Sequence, residues 1–261
     1  MSGWLLALAI SLVFNVGLFI PAFIYKTDKL TDLSYSLSFI LIVIFGFWRS
    51  PQKPLDVLLL AAVILWAARL GSFLFVRIQK IKRDKRFDDK RDNFIKFLSF
   101  WLLQAITVTI VMTSCLLAFN SNGSKSVGGV AIVGAIVFLI GLMLEATSDA
   151  QKYHFNLTNK TGAWIDEGVW RISRHPNYLG EMLVWSGVYI IAFGPQTMSG
   201  RLASLASPLF IIILLLFVSG VSLLERSADK KWGSQKDYQA YKKSVPILIP
   251  SLNSIKRLKS N

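Results

Sequence analysis

Residues 127–148 read VGGVAIVGAIVFLIGLMLEATS, 22 positions with one ionisable side chain, Glu145. A helix needs roughly 20 mostly apolar residues to cross the hydrocarbon of a bilayer, and buried core helices of soluble domains have shorter apolar runs. The stretch therefore reads as a membrane span. Comparable runs occupy 4–25, 33–49, 54–76, 97–119, 178–195 and 203–224, which makes about seven spans. Across 261 residues, 53% are hydrophobic and 17% charged, whereas soluble domains carry about a quarter charged residues. This excludes an ordinary water-soluble enzyme, a disordered chain and a disulfide-stapled secreted domain. One cysteine, Cys115, and two histidines, His154 and His175, form no ligand set, so no metal is expected. The fold class expected is all-α: a polytopic integral membrane helical bundle, with 1–261 as a single transmembrane domain. The first run has no positive residue before it and reads as a retained helix, not a signal peptide.

The net charge of +14 is confined to a few segments. Segments 26–32, 77–96, 149–175 and 225–261 hold 24 of the 29 Lys and Arg residues, and they alternate with segments that hold four. By the positive-inside rule the N-terminus lies outside and the C-terminal tail is cytoplasmic. The basicity is thereby assigned to topology and to anionic headgroups, with no nucleic-acid partner. RIQKIKRDKRFDDKRDNFIKF (77–97) is dense in both signs and is expected on the headgroup surface. A bacterial inner membrane and an endoplasmic reticulum membrane suit these spans equally.

Ionisable and amide groups at membrane depth are costly and tend to face one another or a cavity. Arg69, Gln104, Glu145, Asp149 and Glu181 all lie in or at the ends of apolar runs. Together they predict a polar cavity opening inward. Glu145, Asp149 and Lys152 share nearly one helical face.

The segment GVWRISRHPNYLGEMLVWSG (168–187) concentrates chemistry. Arg171, Arg174 and His175 place three potential cations just before a proline, and Asn177 and Tyr178 add an amide and a phenol. Cations beside a helix start suit an anion, because free backbone N–H groups and the helix dipole act in the same sense. Arginine can hold phosphate or carboxylate through two bonds. Gly180 allows a backbone or a ligand to come close. There is no G-x-G-x-x-G and no P-loop lysine, and the glycines of SVGGVAIVG (126–134) read as helix-packing positions.

RHPNYLG (174–180) and the tail LLERSADKKWGSQKDYQAYKKSVPILIP (223–250) resemble two motifs of one superfamily. That superfamily comprises the integral-membrane sterol and steroid reductases and the isoprenylcysteine carboxyl methyltransferases. DLSYSLSF (32–39), LWAARLGSFLFVRI (65–78), FWLLQ (100–104) and LEATSDAQKYHF (144–155) are similar to its steroid 5-alpha-reductase-like branch. The resemblance covers roughly 26–250. It implies a cofactor-binding C-terminal part over 144–250 and a membrane pocket in place of a Rossmann domain. Lys152, Arg171, Arg174, His175, Asn177, Tyr178, Asp229, Tyr238 and Tyr241 would hold the cofactor, with Glu181 beside them.

Two chemistries divide the superfamily. One is NADPH-dependent reduction of a carbon–carbon double bond in a lipophilic steroid-, sterol- or isoprenoid-like substrate. The other is S-adenosylmethionine-dependent methylation of a lipid or prenylated substrate. Glu181 after Gly180, and Glu225-Arg226 where the methyltransferases have adjacent acids, favour the reductase. Hydride transfer needs a proton donor, for which Tyr178, Tyr35, Glu145 and Glu181 are the candidates. The Gln-Glu pair that the steroid reductases carry in an early helix is absent, since the corresponding region reads RSPQKPLD (49–56).

Overall fold

A computed structural model describes residues 3–81, 87–159 and 162–257. Among these no strand occurs, and the protein is an all-α polytopic bundle. Its elements are α1 (Gly3–Ile24), α2 (Lys29–Trp48), α3 (Pro54–Ile81), α4 (Phe94–Val111), α5 (Thr113–Phe119) and α6 (Gly129–Thr158). A 3-10 turn (Gly168–Arg171) precedes α7 (Pro176–Ala192), α8 (Met198–Ser204) and α9 (Ala206–Ile213). A π-helical turn (Leu214–Val218) then leads to α10 (Val221–Trp232), α11 (Lys236–Ser244) and α12 (Leu252–Lys256). Of the 77–97 stretch expected on the headgroup surface, 82–86 lie outside the described residues; α3 carries its start and α4 its end.

Six stretches among the described residues are long and apolar enough to cross a membrane: α1, α2, Pro54–Lys80, α4, α6 and the broken rod Met198–Trp232. The run expected at 178–195 forms α7, whose 17 residues sit at the lower limit for a span. Pro176 fixes its start, and it ends at Ala192, short of Gly194 and Pro195. The run at 203–224 is not one regular helix. Pro208 has no N–H to offer the Ser204 carbonyl, and that carbonyl instead accepts from Ser114 Oγ at 2.9 Å. Helix α6 extends ten residues beyond the apolar run, to Thr158. Ala150, Gln151 and Lys152 favour helix as strongly as the residues before them.

The chain divides into two compact units, Met1–Ala135 with Val188–Ser207, and Ile136–Gly187 with Pro208–Asn261. In the first unit a polar seam joins α1, α2 and α4. Gln104 Nε2 donates to Asn15 Oδ1 at 2.8 Å and to Ser34 Oγ at 2.7 Å, and Asn15 Nδ2 donates to Ser38 Oγ at 2.9 Å. Gln104 is thus engaged in helix–helix hydrogen bonds, as polar groups in lipid require. The Lys125 Nζ–Asp56 Oδ1 ion pair, 3.2 Å apart, is almost fully buried. The same Asp56 accepts the Lys53 N–H at 3.1 Å, which closes the start of α3.

In the second unit α6 and α7 meet through glycines. A Cβ added at Gly141 would lie 2.6 Å from Val184 N, and one at Gly180 would lie 2.6 Å from Glu145 N. Close approach of backbones is how membrane helices gain packing energy where no hydrophobic force pulls them together. Gly180 therefore admits the backbone of α6. Gly128 and Gly129, expected to pack, have nothing within 4 Å of such a Cβ; the packing glycines lie further along.

Candidate functional site

Proline suits the first position of a helix, where its missing N–H is no loss, and Pro176 opens α7. The two N–H groups just before it are taken by the tail: Arg174 N–H donates to Pro246 O at 3.0 Å and His175 N–H to Ile247 O at 3.1 Å. Ser254 Oγ donates to Ile172 O at 3.1 Å, and the Tyr241 hydroxyl to Trp170 O at 3.0 Å. The two segments that resemble the superfamily motifs are thus joined by backbone and side-chain bonds within one unit.

Their side chains converge on a residue not assigned to the site from sequence. The Glu225 carboxylate lies 2.5 Å from Arg174 Nη1 through Oε2 and 2.7 Å from His175 Nε2 through Oε1. Lys242 Nζ stands 3.7 Å from Oε2 and pairs at 2.5 Å with Asp229. Arg174 and His175 are 9% and 6% exposed, so these bonds form largely out of water, where charge-assisted contacts are strongest. An imidazole nitrogen facing a carboxylate carries a proton, which assigns one to His175 Nε2. Arg174 Nε and His175 Nδ1 are buried with no hydrogen-bond partner among the described residues.

The other expected residues fall around this core. The Tyr178 ring stacks on His175, with centroids 5.7 Å apart and planes 9° from parallel. Asn177 and Tyr178 are half-buried on the first turn of α7. Lys152 Nζ sits 4.7 Å above the Trp170 ring, and Trp170 Nε1 donates to Ser148 O at 3.1 Å, which fixes that ring against α6. Arg171 donates to the carbonyls of Asp166 at 3.3 Å and Arg257 at 3.4 Å. Glu145 is buried on α6 beside Gly180, and Glu181 is half-buried on α7. Asp229 is exposed and is held by Lys242.

Tyr238 and Tyr241 belong to an aromatic cluster with Trp164 and Trp232. Burial pushes the Tyr241 phenol well above its ordinary value, with Asp166 acting in the same sense. Burial, then Glu225 and Asp229, also raise Tyr238. Both phenols therefore stay neutral at physiological pH, and Tyr241 acts as a donor that pins α11 to the Trp170 backbone. Tyr35 belongs to the first unit, where its ring meets Phe39 and Trp66 edge-on at 5.0 and 6.5 Å.

Sequence reasoning missed Glu225, Lys242 and the Trp170 platform. A signal existed for the first: Glu225 is the first charged residue after the apolar run ending at Leu224, and cations drawn together in a protein need a counter-charge.

These features define a multi-pass membrane protein with a buried cation–carboxylate cluster where a helix start meets the C-terminal tail. The chain belongs to the DUF1295 family, described as proteins of unknown function, which it matches over residues 18–245. Comparison with curated proteins and with solved structures finds no match.

Proposed function

We propose that the protein is a membrane-embedded, NADPH-dependent reductase of a carbon–carbon double bond in a lipophilic substrate. The observation that carries this reading is the union of 168–187 with 225–250 around Arg174 and His175, two buried side chains that each retain a nitrogen without a partner among the described residues. The family is one associated with steroid 5-alpha-reductase-like proteins, in line with the resemblance in the motifs.

The residues present fit a dinucleotide. Arg174 Nε is an N–H donor without a partner among the described residues, and Arg171 and Lys152 lie in the same unit to meet further phosphate oxygens. With its Nε2 proton committed to Glu225, His175 presents Nδ1 to an amide or hydroxyl donor. The His175–Tyr178 stack offers a flat face to an aromatic ring. When bound, NADPH would supply the hydride. Tyr178 is the preferred proton donor, because it adjoins His175 and lies at the start of α7; Glu181 and Glu145, in the same unit, are the alternatives. An apolar surround would exclude water and align the reacting carbons.

One observation favours a second reading, an S-adenosylmethionine-dependent methyltransferase. Glu225 and Asp229 already balance Arg174 and Lys242, and a charge-balanced site suits a ligand of low net charge. Thermal unfolding of the detergent-solubilised protein separates the two, since a ligand that binds only the folded state raises the midpoint by mass action. Stabilisation by NADPH and not by S-adenosylmethionine is expected. The reverse result would replace the reductase with the methyltransferase, and a response to neither would remove both.

A further inference from the structure

Glu225 poses a question of charge. The positions read as ligand cations, Arg174 and His175, both end on one carboxylate, and the nearest additional cation, Lys242, is shared between Glu225 and Asp229. A phosphoryl group approaching Arg174 and His175 would meet the same donors that Glu225 now occupies. Each carboxylate oxygen has its own nitrogen, which is the arrangement in which a phosphate also presents two oxygens to two donors. Leaving both anions in place would set like charges side by side in a water-poor site.

We propose that Glu225 is an internal stand-in for the ligand's anion: the carboxylate holds Arg174 and His175 in position while the site is empty and is displaced when a phosphorylated ligand binds. The inference rests on the site reading above, in that it takes the ligand to be anionic, but it adds a competitor that the chain itself supplies. Three features make the exchange feasible. Glu225 is half-buried, with 16% of its side chain exposed, so it has a path to water. It sits near the start of α10, just beyond the π-helical turn at Leu214–Val218 and the non-helical backbone of Ser219 and Gly220, and π-turns often mark functional sites. Arg174 Nε supplies a buried donor with no partner among the described residues, a contact that a ligand could complete without breaking one that exists.

The probe is inorganic pyrophosphate, titrated calorimetrically into detergent-solubilised full-length protein, with NADPH as a second titrant. Glu225→Gln keeps the shape of the side chain and removes its charge; it should bind pyrophosphate at least tenfold more tightly than the wild type. Asp237→Asn removes an equal charge from the exposed first turn of α11 and should change affinity less than threefold. Equal effects of the two variants would overturn the proposal, as would unchanged or weaker binding by a folded E225Q. Glu225→Asp, which withdraws the carboxylate by one methylene, covers poor folding of E225Q and should fall between it and the wild type. Failure of both Glu225 variants to fold also overturns the proposal, because a carboxylate that the fold cannot release cannot be exchanged. NADPH separates this inference from the one beneath it. If E225Q tightens pyrophosphate while NADPH binds no better than pyrophosphate, the exchange stands and the dinucleotide falls. If NADPH binds the wild type well and E225Q changes nothing, the exchange falls alone.

Discussion

Gly180→Ala tests the packing that positions the site. Its added Cβ would lie 2.6 Å from Glu145 N and 2.8 Å from Gly141 O, and both are backbone atoms that no rotamer change can move aside. Restoring an ordinary van der Waals contact requires α6 and α7 to part by roughly 0.8 Å, and a gap of that size forfeits a quarter to a half of the dispersion along the seam. Overpacking of this kind costs about 1–3 kcal/mol, against which alanine recovers up to about 1 kcal/mol of helix propensity. The net expectation is destabilisation of about 1–2 kcal/mol, read as a lower thermal midpoint in detergent. Gly129→Ala is the control, because its Cβ meets nothing within 4 Å, and its midpoint should match or exceed that of the wild type. Gly180 is one turn into α7, so parting the helices also shifts Arg174 and His175 against Glu225, and Gly180→Ala should weaken ligand binding as well. A midpoint for Gly180→Ala at or above that of Gly129→Ala would refute the reasoning.

Lys125→Ala leaves Asp56 as a buried charge without its cation, and breaking such a pair costs about 3–5 kcal/mol; a large fall in thermal midpoint is expected, with partial recovery in Lys125→Ala/Asp56→Ala. Tyr241 has a folded-state value above its unfolded value of 10.0, so its stabilising contribution is complete below pH 10 and is lost as pH rises through the folded value. Tryptophan fluorescence, reporting on Trp164, should show constant tail stability from pH 7 to 9, and Tyr241→Phe should reduce the decline above pH 10. Tyr178→Phe keeps the ring that stacks on His175 and removes the hydroxyl, so turnover should fall more than cofactor affinity; unchanged turnover would take Tyr178 out of the chemistry.

The membrane class was legible because the signal is gross. Runs of about 20 apolar residues separated by charge permit little other than spanning helices, and five of the expected runs begin within four residues of an observed helix that carries a candidate span. What the runs did not show was their interior. Hydropathy cannot distinguish a straight 22-residue helix from the rod Met198–Trp232, in which Pro208 and a π-helical turn interrupt the ladder. Nor could it tell that Gln104, a lone amide in an apolar run, closes a hydrogen-bonded seam with Asn15 and Ser34. The partners are 89 and 70 positions away, and their pairing depends on helix rotations that apolar composition does not encode.

The site shows the same division between what a motif carries and what a rotation decides. Arg174, His175 and Tyr178 are four or fewer residues apart, and the start of α7 brings them together on local grounds alone. Glu225 reaches them only through the phase of α10. The residues before it, LFIIILLLFV (209–218), are apolar on every face, so no periodicity marks which side of the following helix turns inward. The π-helical turn and the break that follows it set that phase: Ser219 N–H donates to Leu214 O at 2.9 Å, five residues back. Gly220 completes the offset, since a Cβ there would stand 2.1 Å from Leu215 O. Ser219 and Gly220 then leave the helical backbone altogether, at φ/ψ of −128°/2° and −121°/−112°, before α10 starts at Val221, so the face on which Glu225 lies is set at this break. The cation cluster is therefore built by a local departure from helical regularity some five to eleven residues before Glu225, of which Gly220 is the one mark in the composition.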